Sequence, residues 1–174
     1  QLFHSRSATS SSDLALSYLA DNPAAHGVAF LVDEQTEGRG RQGRLWTSNR
    51  GDGMYLSVIL APKRDIIEWS SLSFLTSLSL LHAIQQLVPN NADKLKMKWP
   101  NDVLHKRQKL AGILVESRFG KQLNTVVGIG LNFKLPSATI NKIQQPTTSL
   151  QQLCTEVPCR NKLAGKIIQN MINT

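Results

Sequence analysis

From Lys94 onward the chain sets strand-length segments one after another with almost nothing between them, and this spacing restricts how it can fold. "LKMKW" alternates, with Leu95, Met97 and Trp99 on one side and Lys96 and Lys98 on the other. Pro100-Asn101-Asp102 punctuates it, and the short polar turn "HKRQK" then separates "DVL" from "LAGILVES". Parallel neighbours need a crossover of about a dozen residues or more, whereas a short polar turn suits a hairpin. "NTVVGIGLNFKL" follows as a further strand, interrupted by Gly128 and Gly130. Several adjacent strands are therefore expected to be antiparallel.

The remaining segments supply helices and two more strands. Ser10-Ser11-Ser12-Asp13 is a helix N-cap signal, and "DLALSYLAD" carries Leu14, Tyr18 and Leu19 on helical spacing until Asn22-Pro23 stops it. "GVAFLVDE" reads as a buried strand, and "MYLSVILA" alternates Met54, Leu56, Val58 and Leu60 on one face. Pro62 and the charges after it read as a loop. The longest helix is expected over residues 69 to 88, with Leu72, Leu75, Leu78 and Leu81 toward the core and Pro89-Asn90-Asn91 ending it. Residues 134 to 146 read as a surface loop, Thr147 to Leu153 as a short helix, and "RNKLAGKIIQNMI" as a longer one with Leu163, Ile167 and Met171 inward. With 174 residues, no repeats and no linker, residues 1–174 are expected to form a single α+β domain.

Composition narrows the partners. Lysine and arginine number 20 against 12 acids, a net charge of +8 that favours phosphate-bearing or polyanionic partners. No apolar run reaches the roughly 18–20 residues that span a bilayer, so no membrane partner is expected. "QLFHSRSATSSSD" lacks the hydrophobic core of a signal peptide, and the chain does not begin with methionine, which suggests a fragment or a processed product. Cys154 and Cys159, separated by four residues with no second pair, read as free thiols in a reducing cytoplasm rather than as a metal site.

"GRGRQGRLW", residues 38 to 46, packs Gly38, Gly40 and Gly43 among Arg39, Arg41 and Arg44. Glycine lets backbone N–H groups approach an anion closely, and arginine adds a planar fork that matches carboxylate or phosphate. The stretch lacks the Gly-Lys-Ser/Thr of a Walker loop. Its Gly38-x-Gly40-x-x-Gly43 pattern is followed by polar and glycine-rich sequence instead of the helix a dinucleotide site needs. Taken alone, it is equally a mobile basic loop or an anion cradle.

Further along, six basic residues (Lys94, Lys96, Lys98, Lys106, Arg107 and Lys109) fall within sixteen positions and could form a solvated face. Lys109 differs because it directly precedes the apolar strand "LAGILV", where the sheet could aim it. Asp102 suits an Asx role in its turn. In "GIGLN" the glycines mark either a twisted strand or the close approach of a ligand, and polar Asn132 follows them.

Together, "DEQTEGRGRQGRLW", "KWPNDVL" with "KLAGILVE", and "GIGLN", in this order, resemble the catalytic domain of biotin protein ligases, also called biotin–acetyl-CoA-carboxylase ligases, over nearly the whole chain. The resemblance implies a mixed, largely antiparallel sheet flanked by helices, related to the class II aminoacyl-tRNA synthetases. It implies activation of biotin by ATP, accompanied by Mg²⁺, to biotinyl-5′-AMP, then transfer to a lysine of the biotin carboxyl carrier protein. By motif, Ser10, Ser11 and Ser12 would sit beside the ureido ring with Gln35. Gly38, Arg39, Gly40 and Arg41 would wrap the biotin tail and the adenylate phosphate, supported by Arg44. Lys109, with Arg41, would carry the catalysis, and Trp46, Asn101 and Asn132 would face the nucleotide. No metal-ligand set is assignable.

The chain departs from the family pattern in reading Ser10-Ser11-Ser12 where relatives usually have Ser-Thr-Asn, and in lacking a clear adenine-capping aromatic between Lys134 and Leu150. Neither the N-terminal DNA-binding domain nor the small C-terminal β domain of some relatives is recognisable, so no DNA partner is expected; a homodimer is open to it. Two other readings stand beside the ligase: an inactive biotin-binding fragment, and a basic nucleic-acid-binding module. The second needs aromatics among the basic residues, yet only 6% of residues are aromatic and most fall in core-directed segments.

Overall fold

A computed structural model describes residues 1–61, 69–88, 94–118, 124–141, 143 and 145–173. In chain order its elements are β1 (Leu2–Ser5), α1 (Ser11–Asp21), β2 (Ala29–Val32), a 3-10 turn (Arg41–Gly43), β3 (Gly53–Leu60) and α2 (Trp69–Leu87). They continue with β4 (Leu95–Lys98), β5 (Asp102–His105), β6 (Gln108–Arg118), β7 (Asn124–Asn132), α3 (Ser137–Ile140), α4 (Leu150–Leu153) and α5 (Arg160–Asn173). The strands form one seven-stranded sheet in the order β1-β2-β3-β7-β6-β5-β4. Every neighbouring pair is antiparallel except β1 and β2, which makes the sheet mixed.

The expected hairpin is tighter than the sequence suggests. Strand pairing continues to His105 and Gln108, leaving only Lys106 and Arg107 in the turn. Both have positive φ, 46° and 69°, as a two-residue type I′ connection requires. Glycine or asparagine would fit there with less strain, so the pairing of β5 with β6 holds two long cationic residues in an unfavourable conformation.

Helices cover both faces. On one side α2 and α5 lie over Met54, Leu56, Val58, Ala111, Ile113, Val127, Ile129 and Leu131, which belong to the larger core cluster. On the other side α1 packs Ala15 and Leu19 against Phe30, Ile59 and Val126. Phe3, Tyr18 and Phe30 extend that second cluster, with ring centroids 5.2 to 5.6 Å apart. Coverage on both faces explains why all eight residues of β3 are buried, although only Met54, Leu56, Val58 and Leu60 show the expected alternation.

Three expectations are corrected. The leucine stripe of α2 is its core face only in part: Leu81 is buried in the core and Leu72 packs against it, but Leu75 and Leu78 are half-buried, and Ser73, Thr76, Ser77, Leu80, Ala83 and Ile84 are buried as well. The two serine hydroxyls reach carbonyls: Ser77 donates to that of Ser73 and Ser73 to that of Pro100, each at 2.8 Å. Small satisfied hydroxyls thus occupy a core stripe that apolar periodicity does not reveal. Trp99 does not continue the inward face of β4; pairing stops at Lys98 and its ring is 78% exposed. The 134–146 stretch contains the short helix α3.

The edge strand β1 escaped the sequence reading because its four residues are only half covered and polar sequence follows. The loop expected after Pro62 and the helix end expected at Pro89-Asn90-Asn91 lie outside the described residues. Among the described residues, no helix is long and apolar enough to cross a membrane.

Asp33, at the end of β2, ties three elements together: it pairs with His4 at 2.9 Å and with Arg160 at the start of α5, which also donates to the Gly53 carbonyl. Burial works to raise its pKa, but the bonds and charges of His4 and Arg160 outweigh that and leave it lowered. A folded pKa below the unfolded one stabilises above the ordinary aspartate value, about 3.9, and that stability is lost as pH falls through the folded value. Urea unfolding between pH 2 and 6 should therefore show a steep acid loss that Asp33→Asn flattens. An equally steep loss in the variant would place the acid sensitivity elsewhere.

Candidate functional site

On the α1 face of the sheet, β7 carries Gly128 and Gly130, and Gly112 of β6 stands opposite Gly130. Missing side chains at these positions open a cleft of about 330 Å³ between the sheet and the 38–46 loop. Filling them would obstruct it: a Cβ on Gly130 would lie 2.5 Å from the Trp46 ring, one on Gly112 2.9 Å from it, and one on Gly128 2.9 Å from Ser12 Oγ. The glycines of "GIGLN" thus admit close approach by the chain's own Trp46 and Ser12 side chains.

Lys109 reaches this face because of a bulge. Val103 stands opposite Ala111 but Leu104 opposite Lys109, so Leu110 is an extra residue in β6. Leu110 and Ala111 therefore both enter the core, and Lys109 is shifted from their side of the sheet to that of Gly112. There its Nζ lies 2.8 Å from Asp102 Oδ1 and 5.2 Å from the centre of the Trp46 ring. Its backbone holds the segment before α4, donating to Pro146 O at 2.8 Å and accepting from Thr148 N at 2.9 Å. Asp102 is thus a partner of Lys109 at the start of β5, not simply a turn-stabilising residue.

The opposite end of the cleft is neutral and polar. Ser10 caps α1, its Oγ accepting from Asp13 N at 2.9 Å. Gln35 Oε1 accepts from both Ser11 N and Ser11 Oγ, at 2.8 and 3.1 Å. Gln35 Nε2 donates to Ser48 Oγ at 2.9 Å, and Ser48 donates to the Trp46 carbonyl at 3.0 Å. Beneath them Ser57 of β3, fully buried, touches both Ser11 Oγ and Ser12 Oγ, at 2.8 and 3.1 Å.

The loop is anchored at both ends and by its first arginine. Trp46 N donates to Gly38 O at 2.8 Å and Gly40 N to Arg44 O at 2.7 Å, closing it around the 3-10 turn, where Gln42 and Gly43 have positive φ. Gly38 lies at the root, where a Cβ would sit 2.4 Å from the Trp46 carbonyl. Arg39 pairs with Asp13 of α1 at 2.7 Å and with Glu116 of β6 at 3.0 Å, and donates to Ser10 Oγ at 3.0 Å. The bond to Asp13 leads the causes that raise the Arg39 pKa. Burial opposes ionisation of Asp13, yet its bonds with Arg39, Thr9 and Ser10 leave its pKa lowered. Arg41 and Arg44 are exposed, and both line the cleft.

Most of the anticipated residues converge here. Ser10, Ser11, Ser12, Gln35, Arg39, Gly40, Arg41, Arg44, Trp46, Asn101 and Lys109 all line the cleft. Gly38 shapes the loop from below. Asn132 instead lines an adjoining recess with Thr47, Ile143 and Thr147, sharing Arg44, Leu45, Trp46 and Lys109 with the cleft. The side-chain amides of Asn101 and Asn132 are committed to backbone, donating to Ile113 O at 3.0 Å and to Thr148 O at 3.1 Å. Sequence reading missed Ser57, Ser48, Asp13, Glu116, Lys98 and Gly112. A serine inside the apolar run "LSVIL" was the available signal for Ser57; nothing local announces the ion pairs of Asp13 or Glu116.

A mixed sheet with helices on both faces, bearing a cleft that is neutral and polar at one end and cationic at the other, has the class II synthetase-like architecture of biotin protein ligases. Residues 5–132 match the biotin/lipoate A/B protein ligase family, and the chain belongs to that family. It is 33% identical over 141 residues to the bifunctional ligase/repressor BirA of Bacillus subtilis, covering 79% of this chain and 42% of that protein. To the biotin–[acetyl-CoA-carboxylase] ligase of Paracoccus denitrificans it is 41% identical over 113 residues, covering 63% of this chain and 46% of the other. The biotin protein ligase of Aquifex aeolicus, solved with biotin and ATP, superposes with a TM-score of 0.80 at 28% identity, over 99% of this chain and 69% of that one. The chain spans about half the length of these curated relatives.

The Arg39 clamp yields a prediction. Asp13→Asn combined with Glu116→Gln removes both counter-charges without changing side-chain size, and backbone amide exchange over residues 38–46 should become several-fold faster. Unchanged protection would show that the backbone bonds alone hold the loop.

Proposed function

We propose that this chain is the catalytic part of a biotin protein ligase, using ATP to activate biotin and transferring it to a lysine of a biotin carboxyl carrier protein. One observation carries the reading: a single cleft presents serines and Gln35 at one end, and Lys109, Arg41 and Arg44 at the other. Biotin has this polarity, with a neutral ureido ring at one end and a carboxylate at the other. Trp46 covers the glycine floor between them, with its Nε1–H turned down against Gly130. The adjoining recess shares Arg44, Trp46 and Lys109 with the cleft and suits the nucleotide, which Asn132 serves through the backbone it holds.

In the first step a carboxylate oxygen of biotin attacks the α-phosphorus of ATP, the bond to the bridging oxygen breaks, and pyrophosphate leaves. Charge develops on the phosphoryl and carboxyl oxygens at the junction of cleft and recess, where Lys109 lies. Asp102 and the bulge hold that ammonium in place before substrate arrives, so little reorganisation is needed. Arg41 and Arg44 supply the remaining positive charge from the loop. In the second step the carrier lysine, as free amine, attacks the activated carbonyl; an amide forms and AMP departs. Magnesium enters with ATP as part of the substrate. The free thiols of Cys154 and Cys159 accord with a reducing, cytoplasmic setting.

Lys109→Gln tests the mechanism by removing the charge while keeping a polar chain. Biotin-dependent pyrophosphate release should fall by about 100-fold, the scale of losing one strong electrostatic donor at a transition state. Biotin affinity should change much less, since the ureido end is held elsewhere. Lys106→Gln and Arg107→Gln, in the exposed turn, should leave the rate nearly unchanged. Equal losses from all three would reduce Lys109 to part of a general positive field.

A further inference from the structure

The directions of the hydrogen bonds at the polar end of the cleft can be fixed from one fact. Ser11 N–H can only donate, so the Gln35 atom it meets at 2.8 Å is the carbonyl oxygen. That oxygen can only accept, so the Ser11 hydroxyl, 3.1 Å away, gives its single proton to Gln35. Ser11 then has no proton left for Ser57, and their 2.8 Å contact is a hydrogen bond only if Ser57 donates. Ser57 in turn has spent its proton, so the 3.1 Å contact with Ser12 must be donated by Ser12. The chain runs one way, from Ser12 through Ser57 and Ser11 to Gln35.

Ser12 lines the cleft, with its Oγ over Gly128, where any side chain would displace it. Its proton is turned inward, so toward the cleft it offers lone pairs alone. We infer that Ser57, a fully buried residue that does not line the cleft, is a specificity-determining positioning residue: it makes Ser12 an obligate acceptor, so that this end of the site selects a ligand presenting an N–H. The inference rests on the biotin reading and refines it, since it requires a ureido N–H at Ser12 and rejects a ring oxygen in that place. A ring oxygen there would set lone pair against lone pair, and buried polar sites discriminate strongly against ligands that leave such a group unpaired.

Ser57→Ala removes the acceptor of the Ser12 proton. The Ser12 hydroxyl can then turn toward the cleft and donate. The probes are biotin and the two cyclic carbamate analogues in which one or the other ureido N–H is replaced by oxygen, with binding measured by calorimetry. In the unaltered protein, one carbamate should bind about 100-fold more weakly than biotin. In Ser57→Ala that ratio should shrink to about tenfold or less, whereas Ser57→Thr, which keeps a hydroxyl, should preserve it. Thermal unfolding of each variant establishes that it is folded. A packing role for Ser57 would weaken all three ligands together and leave their ratios unchanged. An unchanged ratio in Ser57→Ala, or no discrimination by the unaltered protein, overturns the assignment of Ser57 while biotin binding stands. Failure of the folded, unaltered protein to bind biotin overturns the reading of the site, and this inference with it.

Discussion

The alternation of β7 is the constraint on which both halves of the molecule depend. Successive side chains of a strand point to opposite faces, so one strand can serve two environments if its sequence alternates between them. Val127, Ile129 and Leu131 enter the core beneath α2 and α5, while Gly128 and Gly130 face the cleft. Flanked by β3 and β6 in continuous antiparallel register, β7 cannot slip by one residue without placing its valine, isoleucine and leucine in the cleft and its glycines in the core. The hydrophobic core therefore fixes the floor of the site, and the site needs no separate device to keep its floor open.

The bulge at Leu110 works against that regularity. By simple alternation Lys109 would share a face with Ala111 and Ile113 and enter the core. The extra residue sends Leu110 inward instead and delivers Lys109 to the cleft, where Asp102 on the neighbouring strand meets it. An ammonium held by a carboxylate at 2.8 Å on two paired strands is far more restricted than one on an exposed turn, such as Lys106. The charge is thereby placed by the sheet, which is what electrostatic stabilisation of a reaction demands.

What could be read from the sequence divides along the same physical line. Local signals survived: the antiparallel segments from Leu95 onward, the Ser10 cap, the inward face of α5, and the glycines of β7. The motif order also led to the residues that meet around the cleft. Features determined by contacts between distant segments did not show. Arg39 reads as a ligand-binding cation, but its partners Asp13 and Glu116 lie 26 and 77 residues away, on elements brought together only by folding. Part of the core face of α2 was hidden because serine can occupy a core position once its hydroxyl reaches a carbonyl. Trp99 was misplaced because alternation predicts a face only while the strand continues, and pairing ends one residue earlier.

The three arginines of the loop consequently have unequal roles, and this separates a shaped site from a basic patch. Arg39 sits between two carboxylates and the Ser10 hydroxyl, so its charge is largely compensated within the protein. These pairs join the loop to α1 and β6. Arg41 and Arg44, exposed on the far side of the turn, keep their charge available for an anion. A surface built for a polyanion would gain nothing from neutralising one of three adjacent arginines, because every cation adds to the field along an extended backbone. A cradle for one small anion gains directly, since a fixed loop holds its two exposed arginine forks in place instead of spreading them over many conformations. The acidic partners of Arg39 thus compensate part of the charge of the basic loop and tie it to α1 and β6.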